Sequence, residues 1–334
     1  MKKIAPIAII LIAFPAMLAF YINLPPSLMQ SQVFEVRYGE PLKKTSRRLK
    51  NQNIIKSEKA FLALAYLTNK KSMRTGKYEL HAGMSMLGVL IKLTRGDVLT
   101  KKIMIPEGFN IYQISEKLDS SGIASSGRFI YYCFDEDFLK TLRIKSNSCE
   151  GYLFPDTYVF PESSDPRDVI SAMHANLRKH LKESDIEDGS SNLGLHGILT
   201  LASLIEKEAK KPGERKYISS VFLNRLAGGM KLDCDPTIRY ALKKFSGRLW
   251  YRDLEFDSPY NTYLYKNLPP TPICSPGMES IKAALEPEKS DFLYFVARND
   301  GSHYFSKTLR EHNRAVDYYQ RGRKNNGFID RQKI

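Results

Sequence analysis

The sequence predicts an α+β protein with a single amino-terminal transmembrane helix, a small α+β module and a larger mixed α+β domain. Three observations support this fold class: an apolar run over residues 4–24, a strand-turn-helix pattern that occurs twice before residue 124, and helical periodicities with a closing hairpin after residue 190. The chain has 334 residues, 43% of them hydrophobic, which permits a sizeable packed core.

The amino terminus has the pattern of a membrane anchor. Met1-Lys2-Lys3 precedes an apolar run from Ile4 to Leu24, and about 20 apolar residues match the hydrocarbon core of a bilayer. The two lysines predict that the amino terminus stays in the cytoplasm. A cleaved signal peptide is the alternative, but residues 16–19 lack the A-x-A cleavage pattern. We therefore expect a cytoplasmic tail at 1–3, an anchor at 4–24 and a linker at 25–33.

The charge balance restricts the partners of the chain. Lys and Arg outnumber Asp and Glu by 51 to 36, a formal net charge of +15, which favours a polyanionic partner. Because the anchor places the rest of the chain outside the cytoplasm, lipid headgroups of the inner membrane and cell-wall polymer fit this charge. Nucleic acid is not an expected partner.

The first module is predicted at residues 34–100. Residues 33–38 alternate like a strand, Gly39 turns the chain, and helical spacing follows from Leu42. A second strand at 76–80 and a helix at 86–96 complete the module. The strand-turn-helix pattern recurs weakly at 103–123, within a connecting region that we place at 101–190.

The remaining residues, 191–334, are expected to form the core of the larger domain. A polar loop at 185–192 precedes apolar residues with the spacing of an amphipathic helix over 198–209. A second helix is expected from Glu214 to Leu226.

Local signals mark the later elements of this domain. Asp235-Pro236 and Ser275-Pro276 each place a capping side chain before proline, which predicts two further helix starts. A hairpin is predicted over 292–305, followed by a helix whose capping box joins Thr308 and Glu311.

Several kinds of site lack the spacing that they need. The six histidines form no H-x-x-x-H or H-E-x-x-H pair, so we expect no metal. Walker and G-x-G-x-x-G motifs are absent, so we expect no nucleotide cofactor, and the absence of a G-x-S-x-G elbow argues against acyl transfer by that route. The four cysteines form no C-x-x-C pair, and one or two disulfides remain open.

The pattern Leu204-Ile205-Glu206-Lys207-Glu208-Ala209 is unusual for a helix with an apolar face. Glu206 and Glu208 are about 200° apart around the helix, so they cannot both point into one cleft. Each flanks the apolar stripe, where partial desolvation raises the pKa of a carboxyl and suits it to act as a general acid. The alternative is an ordinary solvated helix face.

The residues that follow resemble a known family. Aromatic and amide side chains near an acid suit a saccharide cleft, and their motifs resemble the endolytic murein transglycosylase family, also called YceG-like. The matching motifs are Glu150 to Tyr158, Leu201 to Glu208, Val221 to Leu226, Asp235-Pro236-Thr237, Tyr260 to Tyr263, Leu268-Pro269-Pro270 and Ser275-Pro276-Gly277.

The resemblance implies an architecture and a chemistry. The first module would be LysM-like, and the larger domain would be a lytic-transglycosylase-like catalytic domain beside membrane-bound peptidoglycan synthases. Glu208 would be the catalytic acid that cleaves peptidoglycan strands to a 1,6-anhydro end, without metal or cofactor. The candidate substrate-binding residues are Asn224, Asp235, Thr237, Asn261 and Tyr263.

The sequence departs from the family pattern at two places. Ala209 stands where Ser or Thr usually follows the acid, and Asp233-Cys234 replaces the usual Gln-Thr or Gln-Ser. Alternatives to the enzyme are a non-catalytic peptidoglycan-binding scaffold and a pyridoxal-phosphate lyase. The second conflicts with the membrane span.

Overall fold

The structure, a computed structural model, divides the chain into two compact units. The first holds the described residues up to Lys102 together with Val159–Ser164, and the second holds Ile103–Tyr158 and the described residues from Asp165 onward. The described residues are 20–21, 23–26, 30–37, 39–187, 189–323, 328, 330 and 332.

The predicted anchor at 4–24 lies almost entirely outside the described residues. Within the part of the chain that the structure describes, no helix has both the length and the apolar character needed to cross a membrane.

The first unit confirms the strands and helices predicted for the first module. β1 (Gln32–Val36) pairs antiparallel with β2 (Gly76–Leu80), so that Phe34 lies opposite Tyr78. The sheet and the helices share a core in which the largest side chains are at most 1% exposed. These helices are α1 (Leu42–Asn51), α2 (Glu58–Leu67) and α3 (Met86–Arg95).

The weak sequence repeat corresponds to a repeated local structure. β3 (Thr100–Met104), which forms a two-stranded sheet with β4 (Thr157–Pro161), leads into α4 (Ile111–Ser120) as β1 leads into α1. Gly39 and Gly108 take φ values of +68° and +76° in the two turns, a conformation that favours glycine.

The second unit contains the remaining helices and one further strand pair among the described residues. A 3₁₀ turn at Pro212–Glu214 precedes α9, and another lies at Tyr251–Glu255. The elements are α5 (Ser126–Cys133), α6 (Glu136–Thr141), α7 (Pro166–Glu183), α8 (Gly194–Glu208), α9 (Arg215–Ala227), α10 (Asp235–Ala241), α11 (Met278–Leu285), β5 (Tyr294–Ala297), β6 (His303–Ser306) and α12 (Leu309–Tyr319).

Helix α8 is the central element of the second unit. It packs against α9, α10 and α11, and every residue from Ile198 to Ile205 is buried. The prediction that this helix is amphipathic is wrong for residues 198–205, because the neighbouring elements leave no exposed face over this stretch. Thr200 and Ser203 are accommodated since their hydroxyls donate to the carbonyls of His196 and Thr200.

Two of the predicted helix caps are also wrong. Cys234 is the cap residue of α10, and Asp235 is its first helical residue. Gly277, rather than Ser275, precedes α11. Both helices begin without a capping bond from the side chain of their own cap residue. The Cys234 thiol donates to Glu208 instead, and Gly277 has no side chain, so Glu206 accepts from its N–H.

The last elements match their local signals. β5 and β6 pair antiparallel, with Phe295 opposite Phe305, and the capping box of α12 joins Thr308 and Glu311 in both directions. The four cysteines all lie in the described part of the chain and are buried free thiols.

Candidate active site

Glu208 is the last residue of α8 and lines a cleft of about 640 Å³ that has both polar and apolar walls. Its carboxyl is partly buried, and Oε1 accepts a hydrogen bond from the thiol of Cys234 at 3.3 Å. Burial raises the pKa of Glu208 to about 7, and the nearby charge of Asp235 acts in the same direction. The Cys234 bond and the charge of Lys210 oppose this rise. A carboxyl with this pKa exchanges a proton readily at neutral pH.

Glu206 has a different environment from Glu208. Its Oε2 accepts hydrogen bonds from the backbone N–H of Gly277 at 3.0 Å and the hydroxyl of Ser280 at 2.7 Å. Its Oε1 lies 3.7 Å from Nη2 of Arg215, and its side chain is only 8% exposed. Glu206 therefore holds the start of α11 against α8, which leaves Glu208 as the acid that faces the cleft.

Asp235 and Tyr263 form one wall of the cleft. The hydroxyl of Tyr263 donates to Oδ1 of Asp235 at 2.6 Å, and both residues line the cleft with Glu208. Burial, followed by this bond to Asp235, raises the pKa of Tyr263. The tyrosine therefore stays a neutral donor, and the pair presents a fixed polar edge to a ligand.

Arg225 anchors the loop that carries Asp233 into the cleft. The guanidinium donates to the carbonyls of Lys231 and Leu232, both at 3.1 Å, and to that of Leu293 at 2.6 Å. It also pairs with Oδ2 of Asp233 at 2.9 Å. Asp233 has a φ of +51°, so the arginine holds this residue in a left-handed conformation.

A buried pair, Glu214 and His303, supports another part of the cleft lining. The backbone N–H of His303 donates to one oxygen of Glu214 at 2.7 Å, and ring Nδ1 lies 2.7 Å from the other. The residues are 2% and 6% exposed, and His303 lines the cleft. This bidentate contact ties the 3₁₀ turn before α9 to β6.

Three of the predicted substrate-binding residues are not brought into the cleft. Asn224 donates to the carbonyls of Ser290 and Phe292, at 2.8 and 3.0 Å. Thr237 is fully buried and donates to the carbonyl of Cys234 at 2.7 Å. Both side chains join segments of the protein around the cleft.

Asn261 is also fully buried. Its amide nitrogen donates to the carbonyls of Leu254 and Phe256, and its oxygen accepts from the backbone N–H groups of Tyr263 and Leu264. The structure thus brings together Glu208, Asp235 and Tyr263, and uses Asn261 to shape the loop that carries Tyr263.

Several residues of the site were not among the sequence candidates. Arg225 follows Asn224 in the motif already quoted, and Cys234 was noted only as a departure from the family pattern. His303 had no sequence signal beyond its place in a strand, because its partner Glu214 is 89 residues away. No group of three or more potential metal ligands occurs among the described residues.

Comparison with known proteins gives a consistent family assignment. A model described as the YceG-like family matches residues 34–318. A protein of Bacillus subtilis (strain 168) named endolytic murein transglycosylase is 38% identical over 288 residues, covering 81% of this chain and 80% of the relative.

More distant relatives extend the comparison. A protein of Streptococcus pneumoniae (serotype 2, strain D39) with the same name is 31% identical, and the alignment covers 83% of this chain but only 56% of the longer relative. The crystal structure of a yceG-like protein from Listeria monocytogenes superposes with a TM-score of 0.60 at 34% identity, covering 86% of this chain and 99% of that one.

Proposed function

Because the chain belongs to the YceG-like family, we propose that it is an endolytic murein transglycosylase. It cleaves the β-1,4 bond between N-acetylmuramic acid and N-acetylglucosamine within nascent peptidoglycan strands and leaves a 1,6-anhydro end, which ends elongation of the strand. The observation that carries this proposal is Glu208, a partly buried carboxyl with a pKa of about 7 that faces the cleft.

Glu208 acts first as a general acid. In its protonated form it donates a proton to the glycosidic oxygen while the bond to C1 of the muramic acid breaks. Acid catalysis of this kind typically contributes about 10²–10⁴-fold to the rate. A pKa near neutrality keeps a large fraction of Glu208 protonated and still allows it to release the proton.

The same carboxylate then acts as the base. Glu208 takes the proton from the C6 hydroxyl, whose oxygen attacks C1 and closes the anhydro ring, so no water enters the products. Most glycoside hydrolases use a second carboxylate as base or nucleophile. This ring closure needs only Glu208, because the attacking hydroxyl belongs to the substrate.

Asp235 and Tyr263 are the substrate contacts that the geometry favours. Their polar atoms lie at the cleft beside Glu208, where they are placed to bind sugar hydroxyl or N-acetyl groups. Asn224, Thr237 and Asn261 support the surrounding loops instead, since protein partners use their polar groups.

The location of the enzyme is part of the proposal. Residues 4–24 are proposed as a single span of the inner membrane with the amino terminus in the cytoplasm, and the catalytic domain acts on nascent strands outside it. The module at 34–100 is proposed to be LysM-like, and membrane-bound peptidoglycan synthases are proposed partners. The apolar run behind two lysines and the positive net charge support this arrangement.

The proposal is tested by digestion of purified peptidoglycan sacculi. We expect the wild type to release fragments with 1,6-anhydro ends, as measured by mass spectrometry, and Glu208→Gln to release none. Glu116→Gln is the matched control, because Glu116 is exposed on α4 and far along the chain from the cleft. Products with reducing ends would instead identify a hydrolase. Binding of sacculi without release by the wild type would identify a scaffold.

The location is tested separately with spheroplasts. Protease added from outside should degrade the catalytic domain and leave a tag at the amino terminus intact. Protection of the catalytic domain until the membrane is lysed would contradict the proposed orientation.

A further inference from the structure

A second cavity of the same unit has a strongly positive lining. It has a volume of about 820 Å³ and lies at the amino-terminal end of α8, where it is lined by Gly194, Leu195 and His196. Glu208 is at the other end of this helix. The twelve residues from His196 to Glu208 place the cavity about 18 Å from the acid along the helix axis. The cavity is therefore separate from the catalytic cleft.

Three cations surround this cavity without a counterion. Arg143, Lys145 and Arg178 are exposed and line it, and none forms an ion pair or a side-chain hydrogen bond with any residue that the structure describes. No Asp or Glu of the described chain lines the cavity. By contrast, Glu208 shares the catalytic cleft with two aspartates. Unpaired like charges around a concave surface concentrate a positive potential there, which favours an anionic ligand.

The walls of the cavity are held in place by hydrogen bonds within the protein, and they are partly apolar. His196 uses both ring nitrogens within the protein, at 2.9 Å from the hydroxyl of Tyr152 and 2.9 Å from the carbonyl of Pro270. Leu142 and Leu195 contribute apolar surface beside the cations. Such a cavity fits a ligand that combines carboxylates with small apolar groups, which is the composition of an acidic peptide.

We propose that this basic cavity binds the acidic peptide attached to a muramic acid of the glycan strand, several sugars away from the bond that Glu208 cleaves. The proposal rests on the proposed function for the identity of the strand. Arg143 and Arg178 bind carboxylates through their planar guanidinium groups, and Lys145 adds a third charge. A contact this far from the scissile bond favours cleavage within a strand that carries peptides on both sides.

The test measures binding, so that it does not depend on cleavage. The full-length chain with Glu208→Gln is compared with the same chain that also carries Arg143→Ala, Lys145→Ala and Arg178→Ala. The probes are soluble glycan strands with their peptides and the same strands after an amidase has removed the peptides. We expect the triple change to weaken binding of peptide-bearing strands about tenfold, and to leave binding of peptide-free strands unchanged.

A matched control removes the same charge elsewhere. The control variant likewise loses three exposed positive charges, through Lys216→Ala, Lys282→Ala and Lys307→Ala. Each of these lysines is paired with an acid on the surface. This control should bind both kinds of strand like its parent. Equal weakening by the two triple variants, or equal weakening for both kinds of strand, would overturn the proposal in favour of a general charge effect.

Competition identifies the chemistry of the ligand. Free peptide released by the amidase should displace peptide-bearing strands, whereas inorganic phosphate at the same ionic strength should not. Displacement by phosphate but not by peptide would overturn the proposal and indicate a phosphate-bearing ligand. Failure of the wild type to form anhydro ends would refute the proposed function while leaving these binding differences measurable.

Discussion

Cys234 donates its thiol hydrogen to the carboxyl of Glu208 at 3.3 Å, and so joins the cap of α10 to the end of α8. The thiol is 1% exposed, and burial beside Glu208 raises its pKa well above the usual range, so it remains a neutral donor. Its hydrogen bond lowers the pKa of Glu208, against the larger effect of burial. The residue that departs from the family pattern therefore positions the acid.

Replacement of Cys234 should change the pH profile of the enzyme. Cys234→Ala removes the donor, so the pKa of Glu208 should rise and the alkaline limb of kcat/KM should move to higher pH. Loss of a hydrogen bond to a charged group is worth about 1.5 kcal/mol at the lower end of its range, so the limb should move by about one pH unit. Cys234→Ser retains a donor and should return the limb towards its wild-type position. Equal pH profiles in the wild type and Cys234→Ala would contradict a role through Glu208.

The wild-type activity should fall as the pH rises through about 7. The acid step needs protonated Glu208, and burial raises the pKa of this carboxyl to about 7, so its protonated fraction decreases tenfold for each further pH unit. Initial rates of release of anhydro fragments between pH 5 and 9 measure this limb. A rate that stays constant to pH 9 would exclude Glu208 as the acid.

Glu206 should matter for stability rather than for the proton transfer. Glu206→Ala removes the acceptor of Gly277 and Ser280 and the nearer of the two carboxylates beside Arg215, so we expect a loss of about 2–3 kcal/mol in the free energy of unfolding. Denaturant unfolding measures this loss, and the pH limb of the remaining activity should not move. Loss of activity in a fully folded, fully stable Glu206→Ala variant would instead assign the acid to Glu206.

Glu150 should make stability depend on pH. It is fully buried and accepts a hydrogen bond from the N–H of Ile111, and burial raises its pKa to about 8. Between its unfolded value of 4.5 and about 8 the folded state holds a proton that the unfolded state releases, so stability falls as the pH rises through this window. The total effect is on the order of 5 kcal/mol.

Comparison with Glu150→Gln isolates this contribution. The amide cannot ionise, so the variant should lose less stability than the wild type between pH 5 and 8 in urea unfolding. The difference between the two proteins is the relevant quantity, because Glu208 also titrates in this range. Parallel curves would show that Glu150 does not hold a proton in the folded protein.

Variants of Asn261 and Tyr263 should distinguish a residue that stabilises the fold from one that contacts the substrate. Asn261→Ala removes a buried amide with four backbone partners, so we expect a loss of about 2–4 kcal/mol in stability. Tyr263→Phe removes one hydroxyl at the cleft and should lower kcat/KM about tenfold or more, with a small effect on stability. Calorimetry and steady-state kinetics on both variants measure this contrast. The reverse pattern would make Asn261 the substrate contact.

Elements that depend on near neighbours in the chain were predictable. The capping box of Thr308 and Glu311 and the turn between β5 and β6 involve residues a few positions apart, and both occur as predicted. The repeated turns at Gly39 and Gly108 were also visible, because a left-handed backbone conformation favours glycine. The resemblance to the YceG-like family also came from short motifs, each made of a few consecutive residues, that occur in the same order as in the family.

Contacts between distant residues were not predictable from these patterns. Helix α8 was expected to show a polar face, but three later helices cover it. Asn224 and Asn261 carry amide groups of the kind that bind sugars. Their amide nitrogens nevertheless donate hydrogen bonds to backbone carbonyls of other loops. A side chain of this type satisfies its hydrogen bonds wherever folding places a partner.

The sequence by itself determined the family, the order of the local elements and the choice of two glutamates as candidates for the acid. Only the tertiary structure decided which of the two faces the cleft, because it gives them different environments. Glu206 accepts a hydrogen bond from the start of α11, whereas Glu208 lies at the cleft beside Cys234. The physical reason is that the role of a carboxyl depends on its burial and on the hydrogen-bond donors around it, and residues 26 or more positions away supply those donors here.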